Sequence, residues 1–240
     1  MIIAIDGPAG AGKGTLARKL AAYFGFAYLD TGLLYRAVGH AVLAAGASPE
    51  NPAEATRAAE ALDPAALDGA ALRGEDTAQA ASKVSAIPAV RAALLAFQRR
   101  FAETPPGGAK GAVLDGRDVG TVVCPDANMK FFLIATPEVR AERRVKELRE
   151  RGLEAIYARV LRDMNERDAR DRARAVAPLT PAEDALVLDT STLDADAVFK
   201  RVLDHIASHN SAWATPLDAQ PDPRPPDPTG RPEQRTRRKD

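Results

Sequence analysis

Solid apolar runs of four to seven residues alternate along the chain with longer stretches where apolar residues recur every three or four positions. The first kind reads as buried strands and the second as helices with one face against a core. Residues 2–5 are an apolar run ending at Asp6-Gly7, and Leu16, Leu20 and Phe24 then fall at helical spacing. Residues 26–29 give a second strand, and residues 33–45 a helix closed by Gly46. Val90, Leu94, Leu95 and Phe101 predict a helix over 84–101, and a Pro/Gly-rich turn follows at 104–110. Further strands are expected at 112–114, 129–135 and 185–188. Pro137 opens a charged helix running to Arg151, residues 154–174 form another, and a last helix ends near Ser208. Strands alternating with helices predict a parallel α/β sheet.

Two stretches break the pattern. Residues 47–81 are rich in Ala, Pro, Glu and Asp with few large apolar side chains, and read as a peripheral insert. Residues 211–240 hold seven of the 18 prolines and little that could fill a core. They are expected to form a disordered tail.

Composition narrows the class. The 240 residues are 45% hydrophobic with a net charge of zero, which gives no support to a bulk polyanion partner. In the tail, six Lys/Arg face five Asp/Glu without interleaved aromatics, so nucleic acid is not expected as a partner. The single cysteine, Cys124, excludes an internal disulfide framework and reads as a small buried apolar residue. His40, His205 and His209 show no metal-ligand pattern. No apolar run approaches the ~20 residues of a membrane helix, and the first residues enter a strand directly. A soluble cytoplasmic protein without a signal peptide is expected.

The candidate chemistry begins at Gly7-Pro8-Ala9-Gly10-Ala11-Gly12-Lys13-Gly14-Thr15, between the first strand and the first helix. That is the setting of a phosphate-binding loop. Glycines let successive backbone N–H groups turn toward an anion, and the helix N-terminus adds partial positive charge. These nine residues are the expected ATP-binding segment. Lys13 can reach the β- and γ-phosphates, and Thr15 is the candidate hydroxyl near Mg²⁺. The hydroxyl falls one position later than the strict pattern because Gly14 intervenes, a spelling that looks like the nucleoside monophosphate kinase version of the loop.

Two further motifs follow strands. Asp30-Thr31-Gly32-Leu33-Leu34-Tyr35-Arg36 comes after the second, and Asp115-Gly116-Arg117-Asp118-Val119-Gly120-Thr121 after the third. Ligands of open α/β sheets sit beyond the carboxyl ends of the strands, so both motifs are expected to face the phosphate loop's crevice. Arg36 and Arg117 would bring planar forks that match phosphate oxygens.

With these motifs, ASKVSAIPAVR at 81–91, ERDARDRARAVAPL at 166–179 and ALVLDTS at 185–191, the chain closely resembles bacterial cytidylate kinases over nearly all of residues 1–208. The resemblance implies a P-loop kinase fold with a five-stranded parallel sheet, a monophosphate-binding subdomain over about 31–100 and a lid over about 154–174, all within residues 1–210. It implies ATP-dependent phosphorylation of CMP and dCMP, Mg²⁺ carried with ATP, and a monomer that meets neither nucleic acid nor membrane. Carried over by position, Arg36, Arg117 and Arg174 hold the acceptor phosphate. Ser82, Arg91 and Asp118 read the cytosine, and Thr31, Arg167 and Asp171 contact the nucleoside or its sugar. Lys13, Arg36, Arg117, Arg167 and Arg174 make up the catalytic set. The stretch 48–81 is short against the family's pattern.

Residues 159–174 carry six arginines interleaved with Asp163, Asp168 and Asp171. Alone, such a run reads as a solvated helix with ion pairs worth ~0.3–0.5 kcal/mol each. Beside a phosphate loop it reads in part as a catalytic lid, because cations around the migrating phosphoryl are the main device of such enzymes. Two rival readings stand beside it: a P-loop kinase for another small acceptor, and a P-loop protein that binds nucleotide or RNA without turnover.

Overall fold

The computed structural model of the chain describes residues 1–64, 67, 72 and 74–209; the tail expected at 211–240 lies outside the described residues. Five parallel strands make one sheet in the order β2-β3-β1-β4-β5. They are β1 (Ile2–Asp6), β2 (Ala27–Asp30), β3 (Ala112–Gly116), β4 (Met129–Ile134) and β5 (Leu186–Asp189). Central β1 is enclosed between β3 and β4, which is why Ile3 and Ile5 are wholly buried and its sequence is solidly apolar up to Asp6. Register pairs Asp6 with Gly116 and Asp30 with Asp115. The motif-bearing ends of three strands therefore lie on one edge. The chain leaves β1 toward β2 on one side, while β4 and β5 lie on the other, so the loop after β1 sits where strand order reverses.

Helices α1 (Lys13–Phe24) and α8 (Ala195–His209) cover one face. There Leu16, Leu20, Phe24, Val202 and Ile206 pack against Ile3, Ile5 and Phe131. On the other face Ala102 and Val119 join Ala4 and Leu114 in a second cluster. Cys124 is buried in that cluster, where burial raises its thiol pKa to about 11 and keeps it protonated.

A third cluster belongs to four helices: α2 (Thr31–Ala44), α3 (Pro52–Glu60), α4 (Glu75–Val84) and α5 (Pro88–Glu103). The stretch 47–81, read from sequence as a peripheral insert, thus contributes α3 and most of α4 to a core shared with α2 and α5. Asn51 caps α3 through bonds from Ala53 N (3.0 Å) and Glu54 N (3.4 Å), with Pro52 in the first turn. The single helix expected over 84–101 is instead α4 ending at Val84 and α5 beginning at Pro88. Proline fixes that boundary, because Ile87 before it is pushed to extended backbone.

Helix α6 (Pro137–Glu150) leaves β4 under a Thr136 cap, and α7 (Tyr157–Arg172) packs back on it. Among the described residues no single helix is long and apolar enough to cross a membrane.

Candidate active site

The loop after β1 is shaped by close approach. A Cβ on Gly7, whose φ is 141°, would lie 2.1 Å from the Leu133 carbonyl oxygen, so only glycine lets the chain cross the end of β4 there. Lys13 opens α1, and its ammonium donates back to the Pro8 carbonyl at 2.8 Å, closing the loop on itself. No side chain caps α1, which leaves the first N–H groups of that helix available to an anion. Thr15 is exposed on its first turn. Asp6 at the end of β1 accepts from Val119 N (2.8 Å) and Gly120 N (2.7 Å), fixing the turn after β3 beside the loop. Burial raises the Asp6 pKa to about 6 despite those two donors.

A cleft of about 790 Å³ opens here, lined by the loop from Ala9 to Thr15 and by Arg36, Arg117, Arg144 and Arg167. Around the loop its like charges crowd one another. Burial and repulsion from Arg117 pull the Lys13 pKa down to about 7. Burial pulls Arg167 down to about 9, again with Arg117 repelling it. Facing them, Asp115 is pushed up to about 7 by burial and by Asp30.

Beside the cleft lies a buried polar cluster that reaches it through Arg117. Asp171 is wholly buried and accepts from Arg117 Nε at 3.0 Å, from Arg174, and faces Arg167 Nε at 4.0 Å. Burial would raise its pKa, but the three guanidiniums hold its carboxyl below the usual range. Arg91 pairs with Asp118, stands 5.5 Å from the Tyr35 ring and donates to the Ser85 carbonyl. Arg174 also donates to Ser85 Oγ at 2.8 Å. Arg170 Nε donates to Ser82 Oγ at 3.1 Å while Arg170 Nη2 holds Gln79 Oε1 at 2.7 Å, so α7 meets α4 at Ser82.

An uncapped phosphate loop, closely spaced cations around Lys13, Arg117 and Arg167, and an Arg91–Asp118 ion pair in the adjoining cluster suit a nucleotide and a second phosphorylated ligand. The cytidylate kinase family model matches residues 3–208. The chain belongs to the cytidylate kinase family. A cytidylate kinase of Paramagnetospirillum magneticum is 66% identical over 207 residues, which cover 86% of this chain and 98% of the relative. Cytidylate kinases of Rhodospirillum rubrum and Rhodopseudomonas palustris (strain BisA53) are 59% and 55% identical, covering 88% and 85% of this chain and 99% and 95% of their own.

Against that family most of the expected site residues fall into two groups, with Gly7, Pro8 and Thr31 in neither. Gly10, Gly12, Lys13, Gly14, Thr15, Arg36, Arg117 and Arg167 line the cleft. Ser82, Arg91, Asp118, Asp171 and Arg174 belong instead to the adjoining cluster. Thr31 donates its hydroxyl proton to the Asp115 carbonyl at 2.8 Å, so toward any ligand it has only lone pairs to offer. Arg36 donates to the carbonyls of Leu72 (3.1 Å) and Gly74 (3.5 Å), which tie it to the insert. Sequence reading placed Arg170 only within the arginine run of 159–174, and missed Arg140 and Gln79. Nothing in composition separates their polar groups from those of a solvated helix face; only the fold carries them to buried partners.

Proposed function

We propose that this cytidylate kinase family member transfers the γ-phosphoryl group of ATP to CMP or dCMP, giving ADP and CDP or dCDP. The observation that carries the reading is the adjacency of two unlike features joined by Arg117: an anion-binding loop lining the cleft at the β1–α1 junction, and the Arg117–Asp171–Arg174 cluster beside it with the Arg91–Asp118 pair. One phosphate chain fits the first, and a monophosphate with an amino-bearing base fits the second.

In this reading an oxygen of the acceptor phosphate attacks the γ-phosphorus in line, and the bond to the β-bridging oxygen breaks as ADP leaves. The nucleophile is already anionic, so no covalent intermediate and no strong base are required. Lys13 and the α1 N–H groups hold the donor phosphates, and Arg36, Arg117 and Arg174 align the attacking phosphate. Arg167, half-buried with its Nε unpartnered, meets the charge that spreads over the migrating group. A set of cations paid for in mutual repulsion is preorganised for the transition state.

Oxygen donors suit Mg²⁺, and the cleft offers the Thr15 hydroxyl with the Asp30 and Asp115 carboxylates on its wall. Among the described residues no three or more His, Cys, Asp or Glu gather into a cage. Mg²⁺ with a nucleotide needs none, since it keeps waters and binds phosphates. When bound, it would neutralise charge on the β- and γ-phosphates.

Base choice follows hydrogen-bond polarity. Arg91 donates to Asp118 in this structure, and turned from each other toward a base the two would offer a donor to cytosine N3 and an acceptor to its N4 amine. Uracil reverses both groups. Each mismatched buried group costs roughly 1–3 kcal/mol, so CMP should exceed UMP in kcat/KM by about two or more powers of ten. The test is a coupled ADP-release assay with CMP, dCMP, UMP and AMP on wild type and Asp118→Ala. The variant should lose most of the ratio by damaging the CMP reaction. Equal use of UMP and CMP by the wild type would overturn base reading by the pair, and no turnover with any monophosphate would overturn the kinase.

A further inference from the structure

Arg140 lies on the first turn of α6, is 1% exposed, and takes no part in the chemistry above. Its guanidinium reaches three separate pieces of the molecule. Nε donates to the Ala135 carbonyl at 3.0 Å, at the exit of β4. Nη1 donates to the Ala9 carbonyl at 3.1 Å, in the phosphate loop. Nη2 donates to Asp168 Oδ2 at 2.6 Å, on the arginine-rich helix α7. Asp168 is itself 2% exposed, and its second oxygen, Oδ1, is buried without a partner. Packing repeats the connection: a Cβ on Gly10 would stand 3.1 Å from Arg140 Cβ and 3.1 Å from Met164 Cε of α7.

We propose that Arg140 is a positioning residue that couples the phosphate loop to α7, so that donor-nucleotide binding and the seating of α7 are linked. A peptide unit's carbonyl and N–H point in opposite directions. Holding the Ala9 carbonyl toward Arg140 therefore turns the N–H of Gly10, on the same peptide, away from it. The guanidinium can hold that carbonyl without an unpaired buried charge only while Asp168 faces it. When α7 moves away, Arg140 loses its counter-ion and the loop loses an anchor. Binding that orders the loop must then favour the seated helix by the same free energy. Spacing supports the design: Arg167 and Asp171 flank Asp168 on α7, so the helix that carries the anchor also carries the cation and carboxylate of the acceptor side.

The inference rests on the phosphate loop binding ATP, and its test is made without acceptor, so CMP chemistry does not enter. ATP affinity is measured by titration calorimetry on wild type, Asp168→Asn, Arg140→Lys and the double variant, each with its melting temperature. Asp168→Asn keeps shape and one acceptor but removes the charge. ATP binding should weaken about tenfold in each single variant, and the double variant should be little worse than either, because both break one connection. Unchanged ATP affinity in folded variants, with only the melting temperature lowered, would mean a structural ion pair and would overturn the coupling. Wild-type hydrogen exchange serves where a variant fails to fold. On adding ATP alone, amides of residues 9–13 and of α7 should gain protection together; protection confined to the loop overturns the proposal. No ATP binding by the wild type would instead count against the function itself.

Discussion

Lys13 is held where an ammonium is least comfortable. Burial and Arg117 lower its pKa to about 7 from the usual 10.5. Between those values the unfolded chain binds more protons than the native one, so the native state gains stability as pH rises through that window, and protonated Lys13 is a cost fully present below it. Phosphate oxygens reverse the balance by giving the ammonium a counter-charge. ATP binding should therefore take up a proton where the free site has lost one. At pH 8 the uptake should approach roughly one proton per ATP, and at pH 6 it should be far smaller. Calorimetry at each pH in buffers of different ionisation enthalpy measures this directly. Lys13→Met should remove most of the uptake at pH 8, lower turnover on the order of a hundredfold or more, and leave the melting temperature at pH 6 equal or higher. Undiminished uptake in that variant would assign the proton to Asp115, which burial and Asp30 also bring to about 7.

At the scale of elements, the insert depends on one close helix crossing. A Cβ added to Gly39 on α2 would sit 2.9 Å from Ala80 Cβ and 2.9 Å from Ala81 N on α4, against backbone that cannot swing away. Gly39→Val should force the helices apart at a cost of ~1–3 kcal/mol. In a chain this long each kcal/mol lowers Tm by about 2–4 °C. Because α4 carries Ser82 and the phosphate loop lies elsewhere, the KM for CMP should rise more than the KM for ATP; equal changes would mean the insert does not act on the acceptor alone. The same crossing explains what the sequence hid. Strand β1, its loop and α1 are legible because large apolar residues mark both periods and glycines mark the turn. Helices α3 and α4 bury alanines such as Ala55, Ala59 and Ala80, whose small side chains leave no visible period. The motif residues were legible by type and spacing. Their division between an open cleft and a buried cluster was not, because it depends on how α7 packs against α4 and on the turn at Val119–Val123, where the chain forms a π-helical turn that no propensity announces.

Over the whole molecule the formal charge is zero, yet the charges are not evenly spent. Peripheral pairs such as Lys130–Asp184 and Lys83–Glu50 are solvated on at least one side and contribute little. Where the cleft meets the adjoining cluster, Arg117, Arg167 and Arg174 share the carboxylate of Asp171, and Arg167 Nε is buried with no hydrogen-bond partner. Burial with cationic neighbours lowers the pKa of both Arg167 and Arg174, as expected where cations crowd. Such a site stores repulsion that a polyanion relieves, whatever base is attached to it. Inorganic tripolyphosphate should therefore stabilise the fold, while sodium chloride at matched ionic strength only screens. A ligand at a hundred times its Kd adds about 2.7 kcal/mol, which corresponds to a Tm rise on the order of 5–10 °C at this chain length. Arg167→Ala should start from a melting temperature no lower than wild type, since it removes a crowded cation, and should show a smaller rise with tripolyphosphate. A rise equal to that with sodium chloride in the wild type would mean the cations are already balanced inside the fold. A full rise in Arg167→Ala would place the anion on the loop alone, with α7 taking no part in holding it.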